Sequence, residues 1–209
     1  MKIVSLISSG IDSPVATYLI SQHVDDIILV HADNRPFTDV CDIENFMSLA
    51  EHLSTLISVN LKLYIIPHGQ TLTVFKQKCR SRYICVLCKR ILLRYAEKIA
   101  GKEKAEGIIT GDSLGQVASQ TLQNLRVIED AVALPVLRPL IGFDKEEIIQ
   151  IAKKIGTYNI SILPSKGCTA VPSKPATKAK LQDVLAEENK INVDKLVNPA
   201  IDNAELLSF

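Results

Sequence analysis

The chain is 209 residues long, 47% apolar and 22% charged, with a net charge of +1. That suffices for one sizeable core and matches an ordinary soluble globular protein, so a single domain is expected. No apolar run approaches transmembrane length, and an odd count of five cysteines argues against a disulfide scaffold.

In chain order, the opening run Lys2–Ile7 reads as a strand. Ser8, Ser9, Gly10 and Asp12 break it too early for a signal peptide, so a cytoplasmic protein with no membrane partner is expected. Further strands are expected at Asp26–His31, Leu61–Pro67 and Gly107–Thr110. Helical periodicity fills Pro14–His23, Val40–Val59 and a long stretch from Leu72 to Ala100. A short apolar segment, Val136-Leu137, precedes a helix over about Lys145–Ile155. Asp144 with Glu147 forms its capping-box pattern, and Gly156 is its natural stop. Ser113 with Gln116 repeats that pattern for another helix. Leu163–Lys178, rich in Pro, Ser, Gly and Thr, reads as a loop, and a helix over about Lys180–Glu188 leads into the tail. Strand–helix repetition predicts an α/β fold: a parallel sheet with helices on both faces and ligands beyond the carboxyl ends of its strands.

One such end carries Ser8-Ser9-Gly10-Ile11-Asp12-Ser13-Pro14. A small-residue turn leading straight into a helix aims free backbone N–H groups and the positive helix end at an anion. Ser13 suits the N-cap and Pro14 the first helical position. The spacing is not that of a Walker A loop, and the alternative is a structural turn that binds nothing. A serine at position 9 is strained if the turn demands positive φ there.

Cys85-Val86-Leu87-Cys88 places two thiols at i and i+3 of a helix start. The helix end and Arg80, Arg82, Lys89 and Arg90 favour thiolates there. Cys168, in a loop at the ligand end of the sheet, can join the pair. A redox dithiol, a zinc site and an iron–sulfur cluster all remain open for this set. Cys41 and Cys79 lack partners at ligand spacing and read as small buried hydrophobes. Between Lys76 and Lys104 ten Lys or Arg stand against two Glu, so this segment carries +8 and the rest of the chain −7. It suits either a polyanionic partner or a solvated helix surface.

Taken together, Ser8–Ala16, Cys85–Arg90, Thr110–Thr121, Leu134–Ile141, Asp144–Ile148 and Ile155–Tyr158 resemble, in order, the PP-loop domain of the ThiI family of tRNA 4-thiouridine synthetases. The phosphate turn resembles the family's Ser-Gly-Gly-x-Asp-Ser signature, with Ser9 in place of the first glycine. The resemblance implies a PP-loop α/β/α sandwich over residues 1–180, with 181–209 as a helix and tail of the same domain. It implies that Ser8, Ser9, Gly10, Asp12 and Ser13 hold ATP phosphates and Mg²⁺. It further implies that Gly111 and Gln116 bind nucleotide, and that Lys145 is essential while Asp144 caps its helix. His31 is either an adenosine contact or a core histidine. Cys168 handles sulfur, catalysing with Lys145 and Asp12, and Cys85, Cys88 and Cys168 hold an iron–sulfur cluster, with zinc the alternative. The implied reaction is ATP-dependent adenylation of a uridine carbonyl of tRNA, followed by exchange of oxygen for sulfur from a sulfide or persulfide donor. No tRNA-gripping extension is expected within the chain, so a separate tRNA-binding partner chain is, and a homodimer fits the family. The alternatives are a PP-loop enzyme of another base or small molecule, and a noncatalytic nucleotide or iron–sulfur module.

Overall fold

A computed structural model describes residues 1–208; of the expected carboxy-terminal segment 181–209, Phe209 lies outside the described residues. The elements follow as β1 (Lys2–Leu6), α1 (Asp12–Ser21), β2 (Asp26–Asp33), α2 (Val40–Leu56), β3 (Asn60–Pro67), α3 (Gly69–Lys78) and α4 (Ile84–Glu103). Next come β4 (Ile108–Ile109), α5 (Leu122–Glu129), β5 (Val136–Leu137), α6 (Lys145–Lys154), α7 (Tyr158–Ser161), α8 (Leu181–Glu188), α9 (Val193–Asp202) and β6 (Glu205–Ser208).

The sheet order is β5-β4-β1-β2-β3-β6, and all neighbours are parallel except β3 and β6. Residues of β1, β2 and β4 are buried on both faces, and their alternation divides the core in two. Val4, Ile28, Val30, Tyr64 and Ile108 join α3, α4, α5, α8 and α9 on one face. Ile3, Ile27, Leu29, Leu63 and Ile109 join α1, α2 and α6 on the other. This is the expected α/β/α sandwich. The chain runs outward from β1 through β2 to β3, then restarts at β4 on the opposite side of β1. The switch in direction opens a crevice at the carboxyl ends of β1 and β4.

Several local expectations change. The helix after the phosphate turn starts at Asp12, with Ile11 at the cap position and no side-chain cap. Ser13 lies inside it, because its hydroxyl is taken by the turn. The stretch from Leu72 to Ala100 is two helices, interrupted by an extended Arg80 and a 3₁₀ turn at Ser81–Tyr83. There the Arg80 amide donates to Glu187 Oε2 at 2.8 Å and its guanidinium to Oε1 at 2.5 Å, so a tertiary contact overrides periodicity. No helix starts at Ser113, whose hydroxyl donates to the Phe143 carbonyl at 2.8 Å and accepts from Gln116. The next helix, α5, is instead capped by Thr121, which accepts from the Asn124 amide. The tail forms α9 and the antiparallel edge strand β6. The Asp144–Glu147 capping box, the loop before α8 and the stop at Gly156, with φ +77°, stand as expected.

Candidate active site

A cleft of about 380 Å³ occupies the crevice, with Ser8–Ser13 as its floor and His31, Asp42, Lys89, Gly111, Gln120 and Cys168 among its walls. The floor is held by its own serines. The Ser8 amide donates to Ser13 Oγ at 2.9 Å, and the Gly10 amide donates to Ser8 Oγ at 3.3 Å. Ser9 sits without strain, since Lys104 is the only non-glycine at positive φ among the described residues. Its hydroxyl donates to Asp42 Oδ1 at 2.6 Å, tying the turn to the start of α2. The loop after β4 presses on α1 so closely that a Cβ at Gly111 would lie 2.6 Å from the Ser13 amide nitrogen. Only glycine fits there.

Asp12, in the first turn of α1, accepts from Lys145 Nζ at 2.5 Å. Lys145 opens α6, whose start is fixed by the reciprocal bonds of Asp144 and Glu147. A cation thus stands beside the phosphate turn, carried by a capped helix packed on α1.

On the β4 side, Asp112 binds Lys89, accepts from Thr110 Oγ1 at 2.9 Å and Gln120 Nε2 at 3.4 Å, and faces Arg138 at 3.7 Å. Burial pushes its carboxyl up, but Lys89, Thr110 and Arg138 outweigh burial and hold it below the usual range. Arg138 donates from Nη1 to Glu129 Oε2 at 2.6 Å, while its buried Nε and Nη2 have no hydrogen-bond partner. Across the cleft, His31 donates Nδ1–H to the Ile7 carbonyl at 3.0 Å and stacks on Phe46 at 3.7 Å. Burial lowers its pKa, so it is neutral, and its buried Nε2 lone pair is unpartnered. His31 is therefore both a core residue and a cleft wall with a free acceptor. Gln116 does not line the cleft; Gln120, in the same motif, does. Lys89, Asp112, Gln120 and Arg138 all lie within motifs visible in the sequence, whereas Asp42 is brought in by the fold.

Cys168 lines the cleft, and Cys85 and Cys88 stand beside it at the start of α4. The thiolates expected there are opposed by the environment. Burial pushes Cys85 up and Cys88 up to about 12, and the proximity of Cys168 adds to both. Of the cations expected to help, Arg80 is bound to Glu187, Arg90 to Glu188, and Arg82 lies over the Tyr83 ring; Lys89 alone lowers the two thiols, and it is itself paired with Asp112. Those pairs, with Arg94–Glu188 and Lys89–Asp112, also absorb four of the ten charges of the basic stretch. Cys88 Sγ lies 3.3 Å from Nε2 of the buried His68. Among the described residues no three His, Cys, Asp or Glu side chains converge tightly enough for a single metal ion. Cys85, Cys88 and Cys168 are near enough for Cys168 to act on both of the other thiols. Cys79 packs against the core as expected, but Cys41 is exposed.

Among the described residues no helix is long and apolar enough to cross a membrane. The family described as "Thiamine biosynthesis protein (ThiI)" matches residues 1–193. The chain is 41% identical over 206 residues to a probable tRNA sulfurtransferase of Finegoldia magna, covering 98% of this chain and 52% of that protein. It is 42% identical over 209 residues to one of Methanosarcina mazei, covering 100% of this chain and 52% of that protein. It therefore spans about half the length of the curated relatives it matches. A crystal structure of a 4-thiouridine synthetase–RNA complex with bound ATP superposes with a TM-score of 0.94 at 35% identity, over 100% of this chain and 55% of that one. The NMN synthetase of Francisella tularensis, at 15% identity and a TM-score of 0.57 over 94% of this chain and 84% of that one, shares the fold. With matched motifs, matched fold and a family match running from residue 1 to residue 193, this chain belongs to the ThiI family.

Proposed function

We propose that this chain is the ATP-cleaving, sulfur-inserting part of a tRNA 4-thiouridine synthetase. The observation that carries this reading is one cleft lined by both the phosphate turn Ser8–Ser13 and Cys168, with Lys145 bonded to the Asp12 of that lining. The names of the relatives and the ATP-bound, RNA-bound structural neighbour support it.

ATP lies with its phosphates against the Ser8–Ser13 turn and the positive end of α1. The unpartnered Nε2 of His31 offers an acceptor to the nucleoside, and Gly111, by its lack of a side chain, lets the loop after β4 close against the start of α1 at the cleft wall. Gln120 rather than Gln116 faces the nucleotide. The uridine O4 attacks the α-phosphorus, forming an O–P bond and releasing pyrophosphate, while Lys145 offsets the charge on the departing phosphates. Hydrosulfide, supplied as free sulfide or set free when the thiol of Cys85 or Cys88 reduces a Cys168 persulfide and is left in a disulfide with it, then attacks C4. The C4–O bond breaks, and AMP leaves with the former uridine oxygen. The uridine must be unstacked to reach the cleft, which favours an unpaired base.

Mg²⁺ would be held by Asp12 with the ATP phosphates and supplies charge neutralisation. An iron–sulfur cluster would be held by Cys85, Cys88 and Cys168 and supplies a Lewis-acidic iron for sulfide. We place the tRNA grip outside this chain, in a partner chain or in the remaining half of a protein as long as the relatives. A homodimer and a cytoplasmic location accord with a tRNA-modifying role.

Anaerobically reconstituted protein is incubated with ATP, Mg²⁺, sulfide and unmodified tRNA. Equimolar AMP, pyrophosphate and 4-thiouridine are expected. ATP binding without pyrophosphate release would instead identify a noncatalytic module.

A further inference from the structure

Three segments distant in sequence are bonded into one block at the start of α2. From the phosphate turn, the Ser9 hydroxyl donates to Asp42 Oδ1 at 2.6 Å. Asp39 is the N-cap of α2, and its Oδ1 accepts from the Asp42 amide at 3.2 Å. Its second oxygen, Oδ2, accepts from the Lys166 amide at 3.0 Å, two residues before Cys168. On the other side of the cysteine, the Thr169 amide donates to the Phe37 carbonyl at 2.8 Å, two residues before Asp39. Cys168 is thus suspended between two anchored amides in a segment without helix or strand of its own.

We infer that Asp39 is a positioning residue that sets the Cys168 sulfur against the phosphate turn. A carboxylate suits this place because both partners are N–H donors, one from the helix and one from the loop. An N-cap alone needs only one oxygen, and serine, threonine or asparagine would serve equally. The inference rests on the reading above that Cys168 handles sulfur. The sulfur must meet a carbon whose oxygen is bonded to the α-phosphorus, so its distance from the phosphate turn controls the second half-reaction. The block Ser9–Asp42–Asp39–Lys166 fixes that distance by hydrogen bonds.

Asp39→Asn separates capping from positioning. The amide oxygen still caps Asp42, while the amide nitrogen confronts the Lys166 N–H, donor against donor. In Asp39→Asn, hydrogen exchange at the Lys166 amide should accelerate at least about tenfold, with the α2 amides unchanged. Iodoacetamide should label Cys168 correspondingly faster relative to Cys41. AMP formation should persist while thiouridine formed per AMP falls about tenfold or more. Wild-type exchange at Lys166 would overturn the inference, as would thiouridine per AMP at the wild-type ratio. Should wild-type protein form no thiouridine at all, the sulfurtransferase reading fails instead. The exchange and labelling rates then still decide whether Asp39 holds the loop.

Discussion

Lys145 and Asp12 are 133 residues apart in sequence, and the Lys145 ammonium lies 2.5 Å from the Asp12 carboxylate. Both are partly solvated, with side-chain exposures of 45% and 25%, so the pair adds only about 0–1 kcal/mol to stability. Its use is to bring a cation to the phosphate turn. Lys145→Ala should lower the rate of AMP formation by about 10²–10³, the size expected for a lost electrostatic stabiliser. The midpoint of thermal unfolding should hardly move. Wild-type pyrophosphate release would remove Lys145 from the chemistry.

The cysteines should divide the reaction. Cys168→Ala, Cys85→Ala and Cys88→Ala each leave the phosphate turn and Lys145 intact. Pyrophosphate release should survive in all three, while thiouridine, measured by nucleoside digestion and chromatography, should disappear. Thiolation by every one of them would make the thiols structural.

Stability depends on a clamp at the far side of α4. Arg90 is 1% exposed and shares Glu188 with Arg94, bonding it at 2.9 Å, and also reaches the Val127 carbonyl. Glu188→Gln leaves a buried guanidinium without its countercharge, at a cost of about 3 kcal/mol. Urea unfolding should show this as a lowered midpoint, and an unchanged midpoint would mean that Asp130 and the Val127 carbonyl suffice as partners of Arg90.

His31 gives a pH signature. Burial holds its folded pKa below the ordinary 6.5, so between 6.5 and the lower folded value only the unfolded chain binds the proton. Its contribution is therefore fully present above pH 6.5 and is lost as pH falls toward and through the folded pKa. The ligand-free protein should lose stability over that range, and His31→Phe should flatten the slope of unfolding free energy against pH. An equal slope in the variant would place the titration elsewhere.

The sheet was legible because buried parallel strands are continuous apolar runs, as at Asp26–His31, and because Asp144, Glu147 and Gly156 bound a helix by local chemistry alone. The turn at Ser8–Ile11 was legible as a turn because small residues follow the apolar run of β1 and a helical pattern begins directly after them. What local chemistry could not show was where long-range bonds win. The break at Arg80 depends on Glu187, over a hundred residues away. The helix expected at Ser113 is lost to the Phe143 carbonyl. Basic side chains near the Cys85–Cys88 pair read as thiolate-stabilising, but their direction is fixed by α8, which turns two of them away. Ser9 read as a strained intruder, yet its hydroxyl finds Asp42, a residue that no local pattern marks.

The central claim is that the uridine oxygen is transferred to the α-phosphorus before sulfur replaces it. The most direct test uses tRNA carrying ¹⁸O at O4 of the acceptor uridine, incubated with protein, ATP, Mg²⁺ and sulfide. Mass spectrometry of the nucleotide product should find one ¹⁸O in AMP for each thiouridine formed. Thiouridine accompanied by unlabelled AMP, or by ADP, would contradict adenylation.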